Sequence, residues 1–268
     1  MKLGFIGTGN LATAILRGVV ASGIVDAKEI AIFDINTEKT AQLGEELKVN
    51  AFSNASQIVS ECENVVIAVK PKDIVSLIES VRDDTKKYNP LVISTAAGTT
   101  TEKLVGCFGF DAKVIRIMPN INAAVGESMT AICASSAVTD ADKTFAMSFC
   151  SCFGKAVELE EKYFSAFTAV AGSAPAFAYM FADALAAAGV KYGIPAKISQ
   201  DIAAQMLLGS AKMLLESPLA VSELIRNVCS PGGTTIEGVC SLKETGFENS
   251  VITAVDKTVE KDRKLSDK

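Results

Sequence analysis

Residues 2–12 read KLGFIGTGNLA, an apolar run that leads into a glycine-rich turn. The run KLGFI has the length of a β-strand, and the segment Leu11 to Ala21 has the spacing of a helix. In such a turn Gly7 permits a tight bend, Gly9 lets the backbone approach a pyrophosphate, and Ala12 keeps the helix close to the strand. The turn predicts a dinucleotide site, whose residues would be Gly7, Thr8, Gly9, Asn10, Leu11 and Ala12. The alternative is a glycine-rich turn in an α/β domain that binds no nucleotide.

Strands and helices alternate through the first half of the chain. The strand-like runs are KLGFI, EIAIF, NVVIAV, PLVIST and KVIRIM. The helical stretches are Leu11 to Ala21, Thr37 to Leu47, Pro71 to Val81 and Thr100 to Phe108. This alternation predicts an α/β fold with a Rossmann-type, doubly wound parallel sheet, which TAICAS and KAVELE extend at its edge.

The second half is predicted to be all-helical. From about Tyr163 the sequence becomes rich in alanine. The helical segments are Ala176 to Val190, Ile198 to Leu215, Ala220 to Val228, Thr234 to Thr245 and Asn249 to Arg263. We expect two domains, a dinucleotide-binding domain over residues 1–160 and a helical domain over residues 161–268.

Composition excludes several classes of function. The 268 residues are 49% hydrophobic and 21% charged, with a net charge of -5 and no run of basic residues, so nucleic acid is not an expected partner. Histidine is absent, which removes the Ser-His-Asp triad, the histidine base and the histidine-bearing zinc site, and we expect no metal. The seven cysteines show no CxxC spacing, and no secretory signal is recognisable, so we expect buried thiols and a cytoplasmic protein.

The segment from Ala166 to Val190 is long enough to cross a bilayer. It contains Asp183, begins with Gly172 and Pro175, and is dominated by alanine. A central aspartate is costly in lipid, so we expect a helix in a core or a subunit interface instead of a membrane span.

Further cofactor contacts are expected where other strands end. Asp34 ends the second strand, where an acidic residue accepts hydrogen bonds from the adenosine ribose and repels a 2′-phosphate. This favours NADH, or use of both cofactors, although Asn36, Thr37 and Lys39 could still host a phosphate, and Asp34 could instead be a helix cap. The loop Ala68, Val69, Lys70 and Pro71 follows another strand and should meet the cofactor.

The segment SPGGTT predicts an anion site in the helical half. Its members are Ser230, Pro231, Gly232, Gly233, Thr234 and Thr235. Adjacent glycines leave backbone N–H groups uncovered, hydroxyl residues flank them, and a helix follows, which suits one carboxylate. The alternative is an ordinary N-capped turn. The small residues from Thr168 to Ala176 indicate close backbone approach to a ligand or to a second chain, or packing alone.

These residues together resemble the pyrroline-5-carboxylate reductase family. The resemblance spans nearly the whole chain and follows GFIGTGNLA, AVKP, STAAG, RIMPN, TAVAGSAPAF, GVKYGIP and SPGGTTIEGV in order. The last block is the most specific. A basic or polar residue is common in the family where this chain has Asp34, so a preference for NADPH is not implied.

The resemblance implies reduction of a cyclic imine by NAD(P)H in proline biosynthesis, and a homodimer, often within a larger ring, whose helical domain makes the dimer. It implies cofactor contacts at Gly7 to Ala12, Asp34 or Asn36, Asn54, Ala68, Val69, Lys70, Pro71, Ala96, Ala97 and Gly98. It implies substrate contacts at Met118, Asn120, Pro175, Ser230, Gly232, Gly233, Thr234 and Thr235. Within this set Ser230 would anchor the carboxylate, and the Thr235 hydroxyl would serve the ring nitrogen as the catalytic group.

Two other functions fit parts of the same pattern. A β-hydroxyacid dehydrogenase would use a catalytic lysine, for which the helical half offers Lys191, Lys197 and Lys212. None of them stands beside a glycine-rich catalytic pattern. A nucleotide sensor would bind NAD(P) without turnover, and it would have no need of a carboxylate site.

Overall fold

A computed structural model describes residues 1–266. The described chain forms two compact units, one of Met1–Gly172 with the residues that follow Lys257, and one of Ser173–Lys257. The division predicted at residues 160 and 161 stays a prediction.

The first unit is built on one sheet of eight strands. They are β1 (Leu3–Ile6), β2 (Ile30–Phe33), β3 (Asn50–Ala51), β4 (Asn64–Ile67), β5 (Leu91–Ser94), β6 (Val114–Met118), β7 (Ser128–Ala134) and β8 (Gly154–Glu158). Their order across the sheet is β3-β2-β1-β4-β5-β6-β7-β8. The predicted α/β fold with a Rossmann-type sheet is confirmed, and so are both predicted edge strands.

The sheet is mixed, which corrects the prediction of a parallel one at its far edge. Strands β1 to β6 are parallel, whereas β7 pairs with β6 in the antiparallel sense and β8 follows β7 in parallel. Only the short turn Ile121–Val125 connects β6 to β7. A parallel pair needs a crossover of a dozen or more residues, so this connection must return antiparallel.

Helices cover both faces of the sheet. They are α1 (Asn10–Ser22), α2 (Thr37–Leu47), α3 (Ala55–Glu61), α4 (Ile74–Tyr88), α5 (Thr101–Phe108) and α6 (Asp140–Ser151). One apolar cluster packs α1 and α6 on one face, and a second packs α3, α4 and α5 on the other. The four predicted helices are present, and α3, β3 and α6 are additions. Pro71 starts a 3₁₀ turn, Pro71–Asp73, that leads into α4.

The chain after β8 is helical, as predicted. Its helices are α7 (Phe164–Phe167), a π-helical turn (Thr168–Ser173), α8 (Ala174–Lys191), α9 (Ala196–Glu216), α10 (Val221–Val228), α11 (Thr234–Glu244) and α12 (Phe247–Ser266).

Small residues allow α8 and α9 to pack closely. A methyl group on Gly189 would lie 2.1 Å from the Oγ of Ser199. That hydroxyl is buried and donates to the Ala186 carbonyl at 2.7 Å. The close packing of α8 against α9 therefore requires glycine at position 189. The motif GVKYGIP also contains Gly193, which has φ 91° in the turn between the two helices.

Many apolar side chains of the second unit are exposed in the single chain. Met180 is 72% exposed and Leu215 is 69% exposed. The continuous helical stretch Glu161–Lys191 is long and apolar enough to cross a membrane by length and composition. One such helix is weak evidence for a span, because helices of soluble proteins pass the same test.

Candidate functional site

The sheet has its topological switch at β1. Strand β1 pairs with β2 on one side and with β4 on the other, and the next parallel strands, β5 and β6, extend the β4 side. Ligands of doubly wound sheets bind in the crevice at the carboxyl ends of the strands beside such a switch. At that edge the structure brings together the predicted loops that follow β1, β2, β4, β5 and β6.

Gly7 and Gly9 are glycines for different reasons. Gly7 has φ 101°, and a methyl group on it would lie 2.5 Å from the Ala68 carbonyl oxygen, so the fold itself demands glycine. Gly9 has φ -61°, which any residue can adopt, and a methyl group there would meet no atom within 4 Å. Packing therefore does not explain Gly9. The open space above it is what a pyrophosphate would fill, so the loop fits a dinucleotide.

The first turn of α1 leaves its backbone donors free for such a group. Gly9 is the N-cap, and no side chain caps the helix. The N–H groups of Asn10, Leu11 and Ala12 have no helical acceptor in an α-helix. Together with the helix dipole these N–H groups are suited to bind an anion.

Asp34 braces the glycine loop. Its Oδ2 accepts the Thr8 backbone N–H at 2.6 Å and the Thr8 hydroxyl at 3.2 Å, and its Oδ1 accepts the Asn36 N–H at 3.0 Å. The Lys39 ammonium donates to the Thr8 carbonyl. Burial raises the pKa of Asp34, but these N–H donors, the Thr8 hydroxyl and the Lys39 charge outweigh it, and the net pKa lies below its usual value. The carboxylate is therefore ionised at neutral pH.

The cap of α2 is Asn36, not Asp34. The Asn36 side chain accepts the Lys39 backbone N–H at 3.0 Å. The alternative reading of Asp34 as a helix cap is wrong, because its carboxylate reaches back across the edge of the sheet to Thr8.

The remaining predicted cofactor residues also lie at strand ends. Asn54 caps α3 through the Gln57 N–H at 2.8 Å and is exposed. Lys70 is exposed and precedes the 3₁₀ turn that Pro71 begins. In the loop after β5, Ala96 is buried, Ala97 is exposed, and Gly98 has φ 70°. Their cofactor contacts stay predictions.

Two predicted substrate residues lie at the end of β6. Met118 is its last residue, and Asn120 follows it, only 7% exposed. Asn120 accepts the Asn122 N–H at 3.1 Å and donates its side-chain amide to the Ala171 carbonyl at 2.9 Å. A substrate contact at either residue stays a prediction.

An ion pair that sequence reasoning missed ties α7 to the sheet. Arg116, whose side chain is 5% exposed, binds Glu161 at 2.9 Å and stacks over the Phe164 ring at 4.4 Å. The same carboxylate accepts the Thr101 N–H at 2.8 Å and the Thr101 hydroxyl at 2.6 Å. The motif RIMPN includes this arginine, but no local pattern pairs it with a residue 45 positions later.

The second predicted site lies within the helical unit, at the start of α11. Gly232 has φ 65°, and the Gly233 N–H donates to the Ser230 carbonyl at 3.0 Å. A methyl group on Gly233 would lie 2.3 Å from the Ser230 Oγ, so the serine hydroxyl covers this glycine. Gly233 is the N-cap of α11, with no side-chain cap.

Several hydrogen-bond donors at the start of α11 have no partner in the described residues. Within residues 1–266, the hydroxyls of Ser230, Thr234 and Thr235 have no hydrogen-bond partner, and the first N–H groups of α11 face no cap. In an ordinary N-capped turn, a side-chain hydroxyl would accept a hydrogen bond from a backbone N–H in the first turn of the helix. This loop is therefore suited to bind one carboxylate, with a hydroxyl to spare.

Comparison with known proteins identifies the family. Residues 161–265 match the family described as pyrroline-5-carboxylate reductase dimerisation, and residues 2–98 match NADP oxidoreductase coenzyme F420-dependent. The pyrroline-5-carboxylate reductase of Escherichia coli (strain K12) is 39% identical, over 99% of this chain and 98% of that protein. The chain belongs to the pyrroline-5-carboxylate reductase family.

Solved structures agree with this assignment. A pyrroline-5-carboxylate reductase from Coxiella burnetii has a TM-score of 0.94 at 29% identity, over 98% of both chains. The Plasmodium falciparum pyrroline carboxylate reductase with NADP bound has a TM-score of 0.89 at 29% identity, over 99% of this chain and 98% of that one.

Membership of this family excludes the β-hydroxyacid dehydrogenase alternative. The chain is an oxidoreductase with a nicotinamide cofactor, and the match to the dimerisation family supports a homo-oligomer. The lysines of the dehydrogenase alternative are ordinary surface groups, such as Lys197, which pairs with Asp201 at 2.7 Å. Residues 1–266 contain no group of three or more His, Cys, Asp or Glu side chains that could hold a metal ion.

The glycine loop yields a direct test. Gly9→Ala should weaken binding of reduced cofactor about tenfold or more, because the added methyl occupies the space of the pyrophosphate. The melting temperature should stay close to that of the wild type, since φ -61° accepts alanine and no atom lies in the way. Titration of NADPH and NADH fluorescence measures the dissociation constants.

Gly106→Ala in α5 is the matched control, because a methyl group there also meets no atom within 4 Å. It should leave both dissociation constants unchanged. Unaltered cofactor binding in the Gly9→Ala variant would place the pyrophosphate elsewhere.

Proposed function

We propose that this protein reduces L-1-pyrroline-5-carboxylate to L-proline by hydride transfer from NAD(P)H, the last step of proline biosynthesis. The observation that carries the proposal is the start of α11, where three hydroxyls and the first helix N–H groups are without partners in the described chain. A site of this kind binds anions, and a single carboxylate is one of the groups that it suits.

The residues of the loop would divide the work of binding. The Ser230 hydroxyl and the N–H groups of Gly232 and Thr234 would hold the substrate carboxylate, whereas the Gly233 N–H, which was also expected to contact it, donates to the Ser230 carbonyl at 3.0 Å. The α11 dipole adds a partial positive charge at the same place. Gly233 has no side chain that would cover these donors, and Ser230 lies against it.

The Thr235 hydroxyl would hydrogen-bond the ring nitrogen of the substrate. The imine carbon is electrophilic once the nitrogen carries a proton, and the reduced nicotinamide supplies the hydride when bound. The Thr235 hydroxyl, half-buried and without a partner in residues 1–266, can hydrogen-bond the ring nitrogen and relay to it a proton drawn from water, which reprotonates the hydroxyl as it gives up its own. The rest of the chain orients the two rings and keeps water out. A histidine is not needed for this chemistry, because the substrate can enter already protonated.

Both nicotinamide cofactors are proposed to be used, without the strict preference for NADPH that an arginine clamp would give. Asp34 stays ionised beside the expected ribose position, and its charge opposes a 2′-phosphate. Lys39, whose ammonium lies on the Thr8 carbonyl, offsets part of that charge.

The assembly is proposed to be a homodimer, with a larger ring built from it. The support is the match of residues 161–265 to the dimerisation family and the exposed apolar side chains of the helical unit, such as Met180 and Leu215. We propose a cytoplasmic location, because the seven cysteines are free thiols, which persist in a reducing compartment.

The role of Thr235 can be measured directly. Thr235→Val keeps the shape of the side chain and removes its hydroxyl, so kcat/KM for pyrroline-5-carboxylate should fall by about one to three orders of magnitude. Thr235→Ser keeps the hydroxyl and should stay within about tenfold of the wild type. Steady-state oxidation of NADPH by the folded variants gives the values.

Ser230→Ala provides the comparison at the same loop. It removes a carboxylate contact that is made in both ground state and transition state, so it should raise KM more than it lowers kcat. An unchanged kcat/KM in the Thr235→Val variant would refute the assignment of that hydroxyl.

A second experiment concerns cofactor choice. Asp34→Ser removes the charge near the 2′-phosphate, so the ratio of kcat/KM for NADPH to that for NADH should rise about tenfold, equivalent to roughly 1.4 kcal/mol of repulsion. The ratio is the informative quantity, because a loosened glycine loop affects both cofactors alike. Parallel assays with NADPH and NADH give it.

Asp26→Ser is the matched control. Asp26 also accepts a backbone N–H, that of Lys28 at 2.9 Å, but it lies before β2, at the opposite edge of the sheet. The ratio of kcat/KM for NADPH to that for NADH should be the same in the Asp26→Ser variant as in the wild type. If Asp34→Ser also leaves the ratio unchanged, Asp34 acts only as a brace for Thr8.

A further inference from the structure

The side chain of Asn120 links two distant parts of the first unit. Its Oδ1 accepts the Asn122 N–H at 3.1 Å, and its Nδ2 donates to the Ala171 carbonyl at 2.9 Å, across 51 positions of sequence. Its backbone N–H donates to the buried Ser128 hydroxyl at 3.1 Å. The residue is buried, and each end of its amide has a defined partner.

The acceptor, Ala171, lacks the donor that a regular helix would supply. It lies in the π-helical turn Thr168–Ser173. In an α-helix the carbonyl of residue 171 accepts the N–H of residue 175. Residue 175 is a proline, which has no N–H. Pro175 therefore removes the donor that Ala171 would have in an α-helix, and the amide of Asn120 donates to the Ala171 carbonyl instead.

The turn lies beside the expected position of the nicotinamide. A methyl group on Gly172 would be 3.3 Å from the Cε of Met118, so the turn packs against the end of β6. The pyrophosphate is expected at α1 and the ribose of adenosine beside Asp34, on the β2 side. The nicotinamide half must then extend to the other side of β1, over β4 to β6.

Two anchors hold this helical stretch to the sheet. At the start of this stretch, Arg116 forms an ion pair with Glu161 and stacks over the ring of Phe164. At the end of this stretch, the side-chain amide of Asn120 donates a hydrogen bond to the Ala171 carbonyl. The carbonyl bound by Asn120 belongs to the residue before Gly172, where an added methyl group would meet Met118, so loss of the Asn120 bond would release the part of the turn nearest to the expected nicotinamide.

We propose that Asn120 is a positioning residue for hydride transfer: it gives Ala171 the hydrogen bond that Pro175 cannot give, and so holds the π-helical turn against the nicotinamide side of the sheet. The inference rests on the proposed reduction of the imine. It assigns the position of the π-helical turn to a contact made from the end of β6, not to the helix itself, and π-helical turns are frequent at functional sites.

The test is a mutant cycle. Asn120→Ala should lower kcat about ten- to a hundredfold, as small misplacements of reacting groups do, with little change in the KM for NADPH. Asn120→Asp keeps the acceptor for Asn122 and removes the donor, so it should match Asn120→Ala. In the Pro175→Ala background residue 175 has its own N–H, and the loss caused by Asn120→Ala should shrink to about threefold or less.

Hydrogen exchange of the NADPH-bound protein gives a readout that does not need turnover. The amides of residues 164–173 should exchange faster in both Asn120 variants than in the wild type. Ser135→Ala is the control: Ser135 donates to the Ala112 carbonyl at 3.0 Å, before β6, and its loss should leave kcat and this exchange unchanged.

Three results would overturn the proposal: an unchanged kcat in both Asn120 variants, an equal loss in the Pro175→Ala background, or unchanged exchange of the turn. A wild-type protein that binds NADPH but does not reduce pyrroline-5-carboxylate would refute the proposed reaction. In that case the exchange rates alone decide whether Asn120 holds the turn, and equal rates in wild type and variants overturn the proposal.

Discussion

The contact between Gly7 and the end of β4 is the constraint on which the cofactor site depends. A methyl group on Gly7 would be 2.5 Å from the Ala68 carbonyl, so only glycine lets the chain leave β1, cross the end of β4 and start α1. Because β1 pairs with both β2 and β4, this crossing lies at the topological switch of the sheet. Asp34 then fixes Thr8, and α1 presents its free N–H groups at one defined place.

Both proposed ligand sites use the same physical device, an uncapped helix start behind a glycine. Gly9 precedes α1 and Gly233 precedes α11, and neither helix has a side-chain cap. Each helix thus offers backbone donors and a dipole to an anion without any basic residue. A chain with net charge -5 and no histidine can in this way bind a pyrophosphate and a carboxylate.

Local patterns predicted most of the fold and the outline of the site. Apolar runs and glycine turns located β1, β2, β4, β5 and β6 and most of the helices, and SPGGTT located the start of α11. The reversed direction of β7 depends on how short its connection is, and the two-residue strand β3 has too few residues to show a period. The Arg116–Glu161 pair and the Asn120–Ala171 bond join residues 45 and 51 positions apart, so no local spacing marks them. Asp34 was correctly placed at the edge, but its engagement with Thr8 depends on the folded loop.

We propose that the start of α1 binds the cofactor and the start of α11 binds the substrate in the reduction of pyrroline-5-carboxylate. The most direct test is steady-state oxidation of NADH and of NADPH by the wild-type protein with pyrroline-5-carboxylate as acceptor, with proline quantified as the product. We predict that reduced cofactor is consumed and that proline forms in equal amount. Protein that binds either cofactor but leaves it unoxidised in the presence of the imine would contradict the account and favour a nucleotide sensor.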